Sequence, residues 1–328
     1  MIGLFLGDPE GIGPEIVVKA LSEYNYNENI LLFGIEKDIK RAINITDVDI
    51  KYSTYKNIEN VNFSDNNIAF LRFEKYEENS LSKNKIYNNS SKLVIPILQK
   101  ILYYADNQYI DGIVYGPLNK KKINSGGFLY RDELELFVDL LSWENIVGEM
   151  NYLHGLWTAR VSSHVSISEV NNFINFKNIN NVIDLAYNTF KKVENKEPKI
   201  AVCALNPHRG EDGLFGREEI DIIRPVIENK RQKGLEIFGS FSADTIFIDA
   251  FRGKYDIIIT MYHDQGQIAL KLKGLDKGVT LNAGLPFPIL TPAHGTAYNI
   301  AGENKADPGA MSEAIKLCCK MIKQENVI

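Results

Sequence analysis

Short apolar runs alternate along the chain with polar loops and with segments of helical periodicity. Four of these runs are MIGLFL (residues 1–6), DGIVYG (111–116), KIAVCAL (199–205) and YDIIITM (255–261). Helical patterns follow several of the loops, for example IVVKALSEY at 16–24 and REEIDIIRPVIENKRQKG at 217–234. Near-continuous runs of Val, Ile and Leu are typical of strands that are buried on both faces of a sheet. The pattern therefore predicts an α/β fold with parallel or mixed sheets.

A polar loop follows each of these runs. In a parallel sheet the loops after the strands converge at the carboxyl edge, where ligands bind. We therefore expect the polar side chains of these loops to share one cleft: Asp8, Glu10, Asn119, Lys120, Asn206, His208, His263 and Asp264.

Composition and charge narrow the classes of function. The 328 residues carry 37 Lys and Arg against 42 Asp and Glu, which argues against a nucleic-acid partner because phosphate binding needs clustered cations. No apolar run is long enough to span a bilayer, and the first run is too short for a signal peptide. The three cysteines, Cys203, Cys318 and Cys319, predict reduced thiols rather than a disulfide framework. We therefore expect a cytoplasmic protein that binds neither nucleic acid nor membrane.

Three of the five histidines follow apolar runs: His164 in ARVSSHVSIS, His208 in AVCALNPHRG and His263 in IIITMYHDQG. Neutral imidazoles are ligands for Zn, Co, Ni or Fe, and a set of three leaves positions for substrate oxygens. The three residues lie tens of positions apart, so they do not form a local zinc motif. Spacing alone leaves two interpretations open, a shared metal site or three separate hydrogen-bonded side chains.

Two glycine-containing segments are candidates for ligand loops. GDPEGIGPE at 7–15 lacks the spacing of a dinucleotide or phosphate loop, and a tight strand-to-helix turn with Pro14 at the helix start explains it as well. In HGTAYNIAGENKADPGAM at 294–311, Gly295 and Gly302 permit a ligand to approach the backbone closely. A small-residue turn before the last helix is the alternative explanation for that segment.

Seven segments nevertheless occur in the order of one known family: GDPEGIGPEI, YGPLNK, SSHVSISEV, LNPHRGEDGLFGREE, SADTIF, MYHDQGQIALK and HGTAYNIAGENKADPGAM. From residue 3 to residue 315 the chain resembles the 4-hydroxythreonine-4-phosphate dehydrogenase family, PdxA, and the resemblance is weakest between 30 and 95. The HGTAYNIAG segment is also similar to the adenine-binding turn of isocitrate and isopropylmalate dehydrogenases.

The resemblance implies a fold and an assembly. The implied fold has two α/β/α domains with mixed sheets and a cleft between them, as in isocitrate and isopropylmalate dehydrogenases. A discontinuous first domain would comprise residues 1–126 and 295–328, and a second domain, 127–294, would carry the metal histidines and the dimer interface. The implied assembly is a homodimer whose subunits both supply ligands to a shared active site.

The resemblance also implies a reaction and its cofactors. The reaction is NAD-dependent oxidation of a 3-hydroxy acid to a β-keto acid that loses carbon dioxide, as for 4-hydroxythreonine 4-phosphate in pyridoxal phosphate biosynthesis. One divalent metal (Zn, Co, Mg or Mn) is assigned to His164, His208 and His263. NAD is assigned to His294, Gly295, Thr296, Ala297 and Asn299, and NADP stays open because Asn299 lacks a carboxylate that would bind the ribose hydroxyls.

Three further residues are candidates for a catalytic role: Lys271, Asp264 and Asp244. Lys271 matches a substrate-contacting lysine, with an exposed, solvated lysine as the alternative. Asp264 is interpreted either as a group that orients a ligand or relays a proton, or as a support for the neighbouring metal histidine. Asp244 matches an acidic position in the SADTIF segment.

Other substrate-contact positions depart from the family. Its Gly-His-Thr-Glu motif is replaced here by Tyr130, Arg131, Asp132 and Glu133, its Asn by Thr280 and its Arg by Ile289. Loss of an Arg removes a bidentate contact to phosphate or carboxylate, and Arg131, next to Asp132, is the candidate to replace that charge at the substrate. We therefore expect an intact catalytic core with an altered substrate. A threonate or erythronate type of hydroxy acid is one alternative, and a non-catalytic metabolite-binding protein is the other.

Overall fold

The computed structural model describes residues 1–23, 28–63, 68–73, 91–121 and 130–325. The chain divides into two compact units, which are Met1–Glu144 with Leu285–Asn326 (unit 1) and Asn145–Gly284 (unit 2). Each unit consists of a sheet with helices, so the predicted α/β class is confirmed.

The sheet of unit 1 is parallel throughout. Its strands are β1 (Ile2–Phe5), β2 (Ile30–Gly34), β3 (Ser53–Tyr55), β4 (Ile68–Arg72), β5 (Gly112–Tyr115) and β12 (Ile289–Pro292). They are arranged in the order β3-β4-β2-β1-β5-β12. The helices of this unit are α1 (Gly13–Glu23), α2 (Glu36–Thr46), α3 (Ser91–Asp106), α4 (Glu133–Leu140) and α10 (Gly309–Glu325). Because β1, β2 and β5 are buried at every position, their apolar runs show no alternation, as expected of central parallel strands.

Two segments that the sequence analysis assigned to the second domain lie within unit 1, residues 130–144 and 285–294. The first contains α4, whose Leu136 and Phe137 pack into the core of this unit. The second contains β12, in which Ile289 is paired with Ile113 of β5. Both segments therefore bury their apolar side chains in the core of unit 1.

The sheet of unit 2 is mixed. Its strands are β6 (Gly148–Leu153), β7 (Leu156–Arg160), β8 (Ile200–Cys203), β9 (Ile237–Phe241), β10 (Ile257–Thr260) and β11 (Val279–Ala283). They are arranged in the order β11-β6-β7-β10-β8-β9, and β6 is antiparallel to both of its neighbours. The helices are α5 (Val170–Phe173), α6 (Phe176–Glu194), α7 (Arg224–Gln232), α8 (Ala243–Ala250) and α9 (His263–Gly274).

Four neighbouring strands of unit 2 run parallel and position the predicted site residues. They are β7, β10, β8 and β9, in that order across the sheet. The loops at their carboxyl ends lead to the predicted site residues: His164 after β7, His208 after β8, His263 at the start of α9 after β10, and Asp244 in the first turn of α8 after β9. Because parallel strands end at the same edge, these four loops leave the sheet side by side.

The cysteines are free thiols, as predicted. Burial raises the pKa of Cys203 to about 12 and that of Cys319 to about 11, so neither is a reactive thiolate near neutral pH. Across the described ranges, no helix combines the length and the apolar character needed to cross a membrane.

Candidate functional site

His164 and His263 lie next to each other at the carboxyl edge of the unit 2 sheet. Their ring centroids are 6.0 Å apart and the ring planes meet at 43°. A histidine nitrogen lies roughly 2.0–2.1 Å from a zinc ion that it binds, so two rings at this separation are close enough to share an ion. His164 is exposed and His263 is partly exposed, which leaves room for a ligand.

Asp264 contacts the ring of His263. The Nδ1 atom of His263 lies 2.7 Å from a carboxylate oxygen of Asp264. In a neutral imidazole this contact places the proton on Nδ1, which donates to the carboxylate, and leaves a lone pair on Nε2 for a metal. This geometry is compatible with a supporting role for Asp264 beside His263, one of the two interpretations that the sequence left open.

His208 lies in a loop with an unusual backbone. Residues 208–212 all have positive φ angles, between 43° and 78°, and each non-glycine residue in this conformation costs roughly 1–2 kcal/mol. The carboxylate of Glu219, which is fully buried, accepts hydrogen bonds of 2.8 Å from the backbone N–H groups of Leu205 and Asn206. A Cβ atom on Gly210 would lie 2.7 Å from the Glu219 carboxylate, so this position accommodates only glycine. Strain of this kind persists where the surroundings fix it, and it concentrates at functional sites.

The three predicted metal histidines do not form one group of ligands within a single chain. Among the described side chains, the ring nitrogens of His164, His208 and His263 do not form a group within 4.8 Å of one another. His208 is exposed on its loop. A single chain therefore brings together the pair His164 and His263 but not the full set of three.

Lys271 and Asp244 are both exposed in unit 2. Lys271 is eight residues after His263 in α9, which places it on the same face and roughly 12 Å further along the axis. Asp244 lies in the first turn of α8, where a carboxylate interacts favourably with the helix dipole. The position of Lys271 suits contact with an anionic group, whereas a structural role explains Asp244 equally well.

Two of the departures from the family pattern have a structural explanation. Ile289 is fully buried in the core of unit 1. Thr280 lies in β11, where its hydroxyl accepts a 2.9 Å hydrogen bond from the side-chain amide of Asn151. Both side chains are therefore engaged in the fold of their own unit.

Arg131 and Asp132 take part in the start of α4. The carboxylate of Asp132 accepts a 3.0 Å hydrogen bond from the backbone N–H of Glu135 and so caps the helix. The Arg131 guanidinium lies 3.5 Å from the Glu135 carboxylate, and its side chain is 69% exposed. Exposed pairs of this kind contribute little to stability, so the charge of Arg131 stays accessible to an anion.

The loop at residues 294–299 has open space beside it. A Cβ atom on Gly295 or on Gly302 would meet no atom within 4 Å. Burial lowers the pKa of His294, and its Nδ1 atom lies 3.1 Å from the carbonyl oxygen of Gly295. Since Nδ1 must donate to that carbonyl, Nε2 of the neutral ring is an acceptor. Thr296 is half-buried, Ala297 has a φ of 42° and Asn299 is exposed.

Helix α1 and the turn before it hold the same loop in place. The carboxylate of Glu15, which is 3% exposed, accepts hydrogen bonds from the backbone N–H groups of Gly302 and Asn304. The N–H of Ile12 donates to the carbonyl of Thr296 at 3.0 Å. The GDPEGIGPE segment is thus a strand-to-helix turn that supports the 294–304 segment.

A buried polar cluster in unit 2 was not predicted from the sequence. Its members are Glu149 and Asn151 in β6, Arg160 at the end of β7, and Gln267 in α9. The side chains of Arg160 and Glu149 are 7% and 10% exposed, and the residues Asn151 and Gln267 are buried. Two signals for it exist in the sequence. Glu149 and Asn151 alternate along one strand, and Arg160 ends an apolar strand four residues before His164.

Comparisons with known proteins cover nearly the whole chain. The family whose model matches residues 26–318 is described as "Pyridoxal phosphate biosynthetic protein PdxA". A Pseudomonas aeruginosa protein with the provisional name 4-hydroxythreonine-4-phosphate dehydrogenase 2 is 36% identical, with 98% of this chain and 96% of that protein covered. The D-threonate 4-phosphate dehydrogenase of Salmonella typhimurium is 33% identical, with 98% of each chain covered. The resemblance inferred from the motifs is confirmed.

Solved structures agree with these relatives. The crystal structure of 4-hydroxythreonine-4-phosphate dehydrogenase from Klebsiella pneumoniae has a TM-score of 0.81 and 30% identity, with 98% of each chain covered. Isocitrate dehydrogenase from Methylococcus capsulatus has a TM-score of 0.52 at 16% identity, with 99% of this chain and 86% of that chain covered. The second likeness concerns the fold alone, and it confirms the predicted relation to the isocitrate dehydrogenase fold.

Proposed function

Because the chain belongs to the PdxA family and is an oxidoreductase of the dehydrogenase type, we propose that it oxidises a phosphorylated four-carbon 3-hydroxy acid. The β-keto acid formed then loses carbon dioxide. When bound, a divalent metal would polarise the substrate hydroxyl and NAD would accept the hydride. The observation that carries the proposal is the pair of rings His164 and His263, 6.0 Å apart, with Asp264 supporting one of them.

The donor set fits a divalent metal. His164 and His263 offer imidazole nitrogens, and Asp264 holds Nδ1 of His263 at 2.7 Å, so that Nε2 is free to bind. His208 is the third ligand in the proposal, and three imidazoles favour zinc or cobalt, with magnesium or manganese as alternatives when substrate oxygens contribute.

We assign the missing ligand to a second copy of the chain. Helix α9 and the Leu275 residue that caps its end carry an exposed apolar stripe of Ile268 (57% exposed), Leu272 (85%) and Leu275 (48%), at the spacing of one helix face. The same helix carries His263 and Lys271, so a dimer formed through this stripe would bring a partner close to them. Such a stripe is more apolar than a solvent-facing helix needs to be.

The assembly is tested by sedimentation and metal content together. Leu272→Glu should give a monomer and lose divalent metal, whereas Phe176→Glu, which changes another exposed apolar side chain of unit 2, should leave both unchanged. A monomeric Leu272→Glu protein with full metal content would contradict the shared site.

The 294–299 loop fits the adenine end of NAD. The neutral His294 ring offers Nε2 as an acceptor to the exocyclic amine of adenine, and the space beside Gly295 and Gly302 is open to the ring. Asn299 offers no carboxylate to the ribose hydroxyls, so NADP is the alternative cofactor. Thermal stabilisation by NAD and by NADP at one fixed concentration compares them directly, because the nucleotide with the lower Kd stabilises more, by about 2.7 kcal/mol where that concentration is 100 times its Kd.

Two substrates are candidates, and the names of the relatives supply both. They are 4-hydroxythreonine 4-phosphate, an amino acid, and D-threonate 4-phosphate, in which a hydroxyl takes the place of the amine. Ile289 is buried in the core where the family has a substrate-binding Arg, and this departure from the family pattern favours D-threonate 4-phosphate over the usual family substrate. In either case Lys271 is assigned to an anionic group of the substrate.

Activity is tested by NADH absorbance with both substrates, NAD or NADP, and Zn, Co, Mg or Mn. We expect the hydroxy acid to be turned over with kcat/KM on the order of 10⁴ per molar per second or more. Equal or faster turnover of 4-hydroxythreonine 4-phosphate would contradict an altered substrate and would support a role in pyridoxal phosphate biosynthesis. Binding of metal and nucleotide without turnover of either acid would instead support a non-catalytic binding protein.

A further inference from the structure

The buried guanidinium of Arg160 connects several elements of unit 2. Its Nε donates to the hydroxyl of Ser163 at 2.9 Å, its Nη1 donates to the side-chain oxygen of Asn151 at 2.8 Å, and its Nη2 contacts the carboxylate of Glu149. The Arg160 and Glu149 side chains are only 7% and 10% exposed. Ser163 also donates to Glu149 at 3.2 Å, so the hydrogen bonds close into a ring.

A buried ion pair of this kind is poorly explained by stability alone. Desolvation of the two charges offsets much of their attraction, and a well-packed apolar pair of similar volume is often at least as stable. What the guanidinium adds is geometry, because its planar fork fixes several acceptors at once. The acceptors of Arg160 therefore indicate what the pair holds in place.

The first acceptor leads to His164. Ser163 directly precedes it, and its hydroxyl is held by Arg160 from one side and by Glu149 from the other. The main chain at this point also follows the end of β7, where the N–H of Ser162 donates to the carbonyl of Met261 at 3.0 Å. Side-chain hydrogen bonds at Ser163 and a backbone hydrogen bond at Ser162 therefore both hold the segment that carries His164.

The second acceptor leads to helix α9. The side-chain oxygen of Asn151 accepts from Arg160 and also from the amide of Gln267, at 2.6 Å. Gln267 lies one helical turn from His263 and one turn from Lys271, on the same face of α9. Its hydrogen bond therefore fixes the rotation of the helix that presents both residues.

We propose that Arg160 is a positioning residue that sets the separation of His164 and His263 and the orientation of Lys271. It acts through Ser163 on the first histidine and through Asn151 and Gln267 on α9. A role for Arg160 in catalysis rests on the proposed function. Its effect on the positions of the two rings does not, because these can be measured without any metal or substrate.

The test replaces the whole pair, so that no buried charge is left without a partner. The variant combines Arg160→Met with Glu149→Leu, and the control combines Lys254→Met with Asp249→Leu, an exposed pair of the same unit with an N–O distance of 2.8 Å. We expect the buried-pair variant to fold. In its metal-free crystal structure the His164–His263 separation should depart from that of the unaltered protein by more than about 0.5 Å, the tolerance of a working site.

Cobalt titration followed by absorption gives the second measurement. Affinity should fall roughly 10-fold or more in the buried-pair variant and also in Arg160→Lys, which keeps the Glu149 carboxylate within 4.8 Å of a His164 ring nitrogen, and it should not change in the control. Rings that stay in place together with an unchanged affinity would overturn the proposal. If the unaltered protein binds no cobalt, the proposed function fails. The His164–His263 separation in the crystal structures then tests by itself whether Arg160 positions the two rings. If the double variant does not fold, Arg160→Lys, which keeps the charge but not the fork, replaces it in both measurements.

Discussion

The Nδ1 atom of His263 lies 2.7 Å from a carboxylate oxygen of Asp264, the next residue in the chain. Successive residues within a helix point in different directions, but these two stand at the very start of α9. Tyr262 before them is still extended, with φ −146° and ψ 168°. The contact fixes the histidine tautomer and directs Nε2 away from the carboxylate.

Asp264→Asn should therefore weaken metal binding. The amide is a weaker acceptor than the carboxylate and no longer enforces one tautomer, so we expect a loss of roughly 10- to 100-fold in affinity for zinc or cobalt. Competition titration with a chromogenic chelator measures it, and Asp276→Asn, at an exposed position after the same helix, is the control. Unchanged affinity with a reduced kcat would instead favour the proton relay.

Glu219→Gln should destabilise the His208 loop. The buried carboxylate accepts from Leu205 and Asn206, and hydrogen bonds to a charged acceptor are worth about 1.5–3 kcal/mol. We expect the free energy of unfolding in urea to fall by about 2–3 kcal/mol. Glu228→Gln, which alters an exposed carboxylate paired with Arg231, should stay within about 0.5 kcal/mol of the original. A loss of the same size in both variants would show that Glu219 has no special role.

Stability should decrease on acidification because of His294. Burial lowers its pKa from 6.5 in the folded state, so between that lowered value and 6.5 the unfolded chain binds more protons than the folded one. The free energy of unfolding should therefore fall as the pH drops through 6.5, until the folded-state pKa is passed. NAD stabilisation should weaken only below that window, where the folded-state ring takes up its proton and Nε2 is no longer an acceptor. His294→Gln should remove this pH dependence, and an identical slope in the variant would rule out His294 as its source.

The strands and the loops after them were predictable because their signals are local. The run IIIT, which forms β10, and the polar residues that follow it can be interpreted from a short stretch of sequence. The proximity of His164 and His263 was also predictable from the sequence, because neighbouring parallel strands end at one edge of the sheet. These features depend on patterns that the chain carries within a few residues.

Other features depend on partners far along the chain. The left-handed residues 208–212 directly follow a turn whose backbone N–H groups at 205 and 206 donate to the carboxylate of Glu219, and non-glycine residues give no local sign of that conformation. The Arg160 network joins β6, β7 and α9 through residues up to 116 positions apart. The position of Ile289 in the core of unit 1, rather than beside a substrate, became visible only once β12 was paired with β5.

Restoring the family residue at position 289 should not restore the family substrate. Ile289 is fully buried in an apolar core, and a charged side chain without a partner there is strongly unfavourable. We expect Ile289→Arg to lower the free energy of unfolding by about 3 kcal/mol or more, without a gain in turnover of 4-hydroxythreonine 4-phosphate. Ile289→Val is the matched control, at a cost of about 0.5–1.5 kcal/mol. An Ile289→Arg protein of normal stability that oxidises the amino acid would mean that the side chain at position 289 reaches the substrate, and it would contradict an altered substrate.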